Sequence, residues 1–227
     1  MKTFLLFLFL FIPTLLLSQK EILKYKIQYR YNFIWLNAGE CVFQKSDTFY
    51  YNQKCTYYKV IGSSYNSISW LYNLKDTLLS INSNKLLFSE TKRNEDNYHK
   101  YERYKYTYNY ASYVIENSKE KYDTIKSSNS YDPITMCYKL RTYNYSKLKP
   151  TDRFTITILV DGKERNSYVK YVGFKDSCYI FTCYTFNGNL FQTGESLEIY
   201  IKNDKNHTPV LIKGKVRVGY IVATLEK

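Results

Sequence analysis

LEIYIKNDKNHTPVLIKGKVRVGYIVATL, residues 197–225, is the stretch that decides the fold class. Leu197, Ile199 and Ile201 alternate with Glu198, Tyr200 and Lys202, so an extended chain here has one apolar and one polar face. Asp204 to Thr208 supplies a polar turn, and Pro209, lacking a backbone N–H, suits only the start or edge of a strand. Val210, Ile212, Val216 and Val218 then alternate with Leu211, Lys213, Lys215 and Arg217. Gly219 breaks the run and Tyr220 to Leu225 completes it. The pattern is three strands joined by two turns, with the final segment expected to close a sheet.

The same period recurs upstream. Phe154 to Val160 and Arg165 to Val172 flank Asp161-Gly162-Lys163, a tight-turn signal. Cys178 to Phe186 forms another strand. Near the start, Glu21 to Phe33 places Tyr25, Ile27, Tyr29 and Tyr31 on one face, and Trp35 to Gly39 reads as a turn or bulge. Glu40 to Phe49 and Cys55 to Gly62 form a hairpin across Tyr51-Asn52-Gln53, followed by strands at Thr77 to Ser80 and Leu86 to Thr91. Ser67 to Asp76 fits a helical turn as well as a strand. Tyr113 to Glu116 pairs with Tyr122 to Ile125 around Asn117-Ser118-Lys119. One helix is indicated: Asp132 caps it, Pro133 suits its first position, and Ile134, Cys137, Tyr138, Leu140 and Arg141 follow at helical spacing. About a dozen strands with one short helix predict an all-β chain, an antiparallel, strongly curved sheet or barrel.

Met1-Lys2-Thr3 followed by the apolar run Phe4 to Leu17 has the layout of a secretory signal peptide, so residues 1–18 are expected to be removed and 19–227 to form a single β-rich domain. Export follows, to the periplasm, the outer membrane or the medium. The formal net charge of +13 favours anionic partners, and export makes nucleic acid the least suitable of them. Five cysteines in an exported chain permit disulfides. The pairs closest in sequence are Cys41–Cys55 and Cys178–Cys183, although the odd spacing of the second requires an intervening turn or bulge. Buried free thiols are the simpler expectation.

These pieces, taken in order, resemble an exported bacterial family known as domain of unknown function 3108 (DUF3108). The resemblance is carried by Ala38-Gly39, by Asp76 and by Asp132 opening a helix with Tyr138-Lys139-Leu140-Arg141. It continues through Asp161-Gly162-Lys163 and the ending Leu197-x-Ile199-Tyr200-Ile201-x-x-Asp204, Pro209-Val210 and Gly219. Tyr200 stands where the family pattern leads one to expect Trp, and the Tyr-rich middle is more aromatic than usual. The resemblance implies an antiparallel β fold and an exported location, and no activity.

Catalytic signatures are sparse. There is no Gly-x-Ser-x-Gly, no His-Glu-x-x-His and no phosphate-cradling glycine loop, and His99 and His207 are the only histidines. Neither a catalytic residue, a metal site nor a cofactor is indicated, and His207 in its turn reads as solvated. The binding candidates are Tyr104, Tyr106, Tyr108 and Tyr110, which share one face if the strand is continuous, and Arg141 as an anion anchor. Aligned rings offer flat surfaces to sugars or acyl chains, although tyrosines also pack within sheets. Arg141 would equally anchor the helix to a sheet carboxylate. The expected function is a non-enzymatic cell-envelope protein whose curved sheet binds a lipidic or glycan ligand, an anionic one suiting the charge, with peripheral membrane contact. Two alternatives stay open: an envelope glycan hydrolase using a carboxylate pair, and a structural interaction protein.

Overall fold

In the computed structural model of the chain the described residues are 20–70, 72–96, 98–106, 110–117, 119–126, 130–160, 163–185, 194–216 and 218–226. The expected signal peptide lies outside them. The chain is all-β with one short α-helix. Its first half is an antiparallel meander of β1 (Glu21–Tyr31), β2 (Ile34–Tyr50), β3 (Gln53–Ser64), β4 (Lys75–Asn82), β5 (Leu86–Glu95), β6 (Tyr98–Tyr106), β7 (Tyr110–Asn117) and β8 (Lys119–Lys126). After α1 (Pro133–Leu140), a second meander follows: β9 (Arg153–Val160), β10 (Lys163–Lys175), β11 (Cys178–Thr185), β12 (Gly194–Lys202), β13 (Pro209–Lys215) and β14 (Tyr220–Leu225).

All the strands form one 14-stranded sheet in the order β8-β7-β6-β5-β4-β3-β2-β1-β14-β13-β12-β11-β10-β9. The C-terminal segment therefore does not close the sheet. It stands in the middle, where β14 pairs antiparallel with β1 (Tyr25 opposite Leu225, Arg30 opposite Tyr220) and welds the two meanders together. The edge strands β8 and β9 do not pair, yet they come close. Only four peptide steps separate Lys126 from Ser130, a reach of at most roughly 14 Å, and Tyr131 bridges in parallel to Ile158 on β9. The sheet is thus curled almost into a barrel, with the 130–132 segment laid along one lip.

Local chemistry sets the turns. β2 and β3 join through Tyr51 and Asn52, and β10 and β11 through Asp176 and Ser177, all four at positive φ, as tight two-residue hairpins require. Gly219, at φ 83°, lets the β13–β14 turn press against β1; a Cβ there would lie 2.2 Å from the Arg30 carbonyl oxygen. The 35–39 segment belongs to β2 and carries the bulge alternative of the expected turn or bulge: Ile27 stands opposite Gly39 and Gln28 opposite Asn37, so Ala38 is the extra residue. Ser67 to Asp76 holds a short 3₁₀ turn (Asn66–Ile68) and a connection, with β4 starting at Lys75.

The helix begins as its sequence dictates. The Asp132 carboxylate accepts from the Thr135 backbone N–H at 2.8 Å, and the Thr135 hydroxyl faces back to the Asp132 N–H, a reciprocal capping box. From there α1 lies inside the curl. Its Ile134 and Tyr138 pack with Val60, flanked by Phe43, Tyr58 and Leu78 of the first meander. Its Met136 and Leu140 pack into the larger core of the second, with Ile156, Val169, Phe181, Ile199 and Ile201.

The two disulfides expected from sequence proximity, Cys41–Cys55 and Cys178–Cys183, are not made; all five cysteines are free. Register is the reason. Cys41 stands opposite Gly62, so Cys55 is displaced seven positions along β3, about 23 Å against the roughly 4.4–6.8 Å that a disulfide spans. Cys178 and Cys183 sit five residues apart along the one strand β11, with no turn between them.

Candidate functional site

Residues that face into the curl form two different linings. Along β4 to β6 the inward row is polar: Ser80 stands opposite Ser89, Ser89 opposite Tyr104, and Thr91 opposite Glu102. Along β1 and β9 to β14 it is apolar: Tyr25, Ile212, Ile199, Phe181, Val169 and Ile156.

The apolar side is not filled throughout. Toward the end of the sheet where the 65–74 connection crosses, the inward positions become small. Gly39 and Ala223 both stand opposite Ile27, Gly62 opposite Cys41, and Gly214 opposite Ile221. Together they leave a cavity of about 320 Å³, at the lower end of the roughly 300–1,000 Å³ typical of small-molecule sites. Ile27, Leu197, Ile212 and Ile221 form its walls, and Ile68, Tyr72 and Leu74 from the connection cover it. At Gly62 a Cβ would meet only Leu74 Cδ2, at 3.6 Å, so this glycine gives its volume to the cavity. Gly39 is glycine for another reason: a Cβ there would lie 2.1 Å from the Ser63 carbonyl oxygen, so the bulge depends on it.

The covering connection is anchored at several points. Ser64 N–H donates to the Leu74 carbonyl at 3.0 Å, Leu74 N–H donates to Ser64 Oγ at 2.8 Å, and Tyr65 N–H donates to the Ala38 carbonyl at 3.1 Å. The Ser64 hydroxyl is thereby used in holding the cover. The carboxylate among the lining residues, Glu40, is exposed at the mouth. Tyr25, Phe43 and Ile212 form the floor and separate the cavity from a gap of only about 20 Å³ against Cys137, Tyr138 and Arg141. The space between helix and sheet is thus closed by packing, and the room lies one layer farther along. Burial pushes the Cys41 and Cys137 thiols up to about 12, so neither is a nucleophile near neutral pH.

The sequence candidates are not brought together. Tyr104 is buried in the polar lining, its ring 6.4 Å from that of Tyr106. The four-rung ladder is not one strand: β6 ends at Tyr106, and β7 begins at Tyr110 running the other way. Tyr108 and the Tyr110 side chain lie outside what is described. The Tyr106 hydroxyl is buried with no hydrogen-bond partner among the described residues, and desolvation, then the Asp132 carboxylate, push its pKa well up.

Arg141 is at the other end of α1. Its Nη1 and Nη2 donate to the two Glu21 oxygens, each at 2.7 Å, Nε donates to the Asn206 carbonyl at 3.0 Å, and the guanidinium lies over the Tyr138 ring. It ties the helix to β1 and to the β12–β13 turn. His207, expected to be solvated, is half-buried: its ring centre lies 4.2 Å from that of Tyr145 in a T-shaped contact, and Nδ1–H donates to the Arg141 carbonyl at 2.9 Å.

The buried carboxylates are likewise engaged: Asp132 accepts from Thr135 and from the Ser80 hydroxyl, and Glu102 pairs with Lys100 Nζ at 2.6 Å, while the exposed Glu164 accepts from Ser130 Oγ at 2.8 Å. Among the described residues no group of three or more His, Cys, Asp or Glu side chains is placed to hold a metal ion.

A family model described as a protein of unknown function (DUF3108) matches residues 24–226. No curated protein matches the chain. Among solved structures, the chain is similar to a crystal structure described as a beta-barrel-like protein of domain of unknown function DUF1849 from Brucella abortus. The TM-score is 0.56 at 10% identity, covering 91% of this chain and 95% of that one. At that identity the likeness concerns the fold alone.

Proposed function

The chain belongs to the DUF3108 family, whose description assigns no activity, and from that premise we propose that it is an exported cell-envelope protein holding the apolar chain of a lipidic ligand inside its curled sheet. The observation that carries this reading is the 320 Å³ cavity walled by Ile27, Leu197, Ile212, Ile221 and Ala223. An acyl chain needs volume and apolar walls, and each buried methylene contributes about 0.8 kcal/mol. A sugar needs donors and acceptors in register with its hydroxyls, and the buried walls offer few. This favours a lipidic over a glycan ligand. The buried carboxylates Asp132 and Glu102 are held by a helix cap and an ion pair, so no specific observation favours a glycan hydrolase.

The test is binding of a fluorescent medium-chain fatty acid to the wild type and to Ala223→Phe and Gly62→Leu, which project side chains into the cavity. The expected result is saturable binding by the wild type, at least tenfold weaker binding by both variants, and melting temperatures equal to or above the wild type. Fatty-acid binding that neither variant weakens, or no binding by the wild type, would overturn the reading.

A further inference from the structure

The cavity end of the sheet carries a cluster of apolar side chains that none of the described residues covers. The β1–β2 turn presents Tyr31, Phe33, Ile34 and Trp35, the β13–β14 turn presents Val218 and Tyr220, and the β3–β4 connection presents Trp70. The antiparallel order puts these three connections at one end of the molecule. Phe33 is 88% and Trp70 82% exposed, so they contribute nothing to the core. Trp35, Arg30 and Tyr220 are successive cross-strand neighbours, and the Arg30 guanidinium sits 5.0 Å from the Trp35 ring centre. Arg30 and, beside Tyr220, Lys215 are exposed. Aromatic rings beside cations match a lipid–water interface, where rings sit at headgroup depth and cations meet anionic headgroups.

We propose that this end docks on an anionic lipid bilayer, with the Phe33, Trp35 and Trp70 tips entering the headgroup region and Arg30 and Lys215 meeting lipid phosphates. Two features favour a bilayer over a protein partner or a second copy. The most exposed tips come from three separate connections, and they share their end of the molecule with the covered apolar cavity, so a chain leaving the bilayer would have a short path to it. The inference takes only the exported location from the proposed function and does not require the cavity to bind.

The only tryptophans of the chain, Trp35 and Trp70, both lie in this surface, which makes their emission a direct reporter. The described strands and helix lie within residues 21–225, so protein beginning at Lys20 retains all of them and leaves the expected apolar leader out of the assay. It is mixed with phosphatidylcholine vesicles with and without phosphatidylglycerol, and both co-sedimentation and emission are read. The expected result is co-sedimentation with the anionic vesicles and a blue shift of emission, with Phe33→Ser/Trp70→Ser lowering the partition coefficient at least tenfold.

The control is Phe49→Ser/Tyr51→Ser. Phe49 and Tyr51 are as exposed, 75% and 84%, but lie at the opposite end, and their replacement is expected to leave binding unchanged. Three results would overturn the proposal: no vesicle binding, an equal loss in the control variant, or binding without a blue shift, which is surface charge alone. So would the finding by sedimentation velocity that the tip replacements convert a dimer to a monomer. Retention of fatty-acid binding by the tip variant separates this surface from the cavity.

Discussion

Replacing Arg141 tests whether a residue that looks like an anion site is instead a strut. Its guanidinium makes a two-point contact with Glu21, and the side chains are 10% and 26% exposed. Breaking a fully buried pair costs about 3–5 kcal/mol and an exposed one about 0–1. The partial exposure of Glu21 allows its carboxylate to rehydrate, which places Arg141→Ala between these limits, at about 2–3 kcal/mol with the lost bond to Asn206 included. For a chain of this size that is a fall of very roughly 4–12 °C in melting temperature. The pair also has a pH signature. Hydrogen bonding from Arg141, opposed by desolvation, holds the Glu21 carboxyl below its ordinary value. A depressed carboxylate stabilises the fold above its unfolded pKa, about 4.3, and that contribution is lost as pH falls through the folded value. The difference between wild type and Arg141→Ala is therefore largest at neutral pH and shrinks below about pH 4. Urea unfolding of wild type, Arg141→Ala, Glu21→Gln and the double variant, at neutral and acid pH, measures both the coupling and its loss. An Arg141→Ala variant as stable as the wild type at neutral pH, or a difference that does not shrink on acidification, refutes the strut. So does protection of the wild type, but not of the variant, by added phosphate.

Asp132→Ala removes the helix cap and the acceptor of the buried Ser80 hydroxyl, and a loss of about 1–3 kcal/mol is expected in the same unfolding assay, with Asp132→Asn retaining part of it. Gly219→Ala puts a Cβ against the Arg30 carbonyl at positive φ; it should destabilise by at least ~1 kcal/mol, read as a lowered unfolding midpoint. With five free cysteines, the intact mass should be the same with and without reductant, and the buried Cys55 and Cys183 should resist a thiol reagent until the chain unfolds.

Local pattern was enough for much of the fold. The alternation from Leu197 to Ile201, Asp161-Gly162 between two strands, and Asp132-Pro133 before a helical run each specify their element within a few residues. What local pattern did not contain was register. Cys41 and Cys55 look like a natural pair until β2 and β3 are aligned and Cys41 falls opposite Gly62. The tyrosine ladder fails similarly: even spacing from Tyr104 to Tyr110 means a shared face only on one strand, and the chain reverses between Tyr106 and Tyr110. Arg141 meets Glu21 across 120 positions, beyond the reach of any periodicity. The cavity was hidden for the same reason, since Gly39, Gly62, Gly214 and Ala223 come from four strands. Its signal was nevertheless available, as small residues at inward positions of strands whose other inward positions are Tyr25, Phe43, Val60 and Ile212.

Those small residues are the strongest argument about function, because they are costly if they serve only the fold. Protein interiors are close-packed, and unfilled apolar volume forgoes contact energy at about 24 cal/mol per Å³. For the 320 Å³ here that is up to ~8 kcal/mol, as large as the whole net stability of many domains. That figure is a ceiling for a closed cavity, and the mouth open to solvent lowers it. Side chains from only two strands would fill much of the cavity, since a Cβ at Gly62 meets nothing closer than 3.6 Å and Ala223 lines the cavity. The layer beneath, where Tyr25, Phe43 and Ile212 close against α1 with a gap of only about 20 Å³, shows that this sheet accommodates tight packing. The contrast between a filled layer and an open one on the same strands is explained if the open layer is shaped for an apolar guest, and packing among the described residues gives no reason for it.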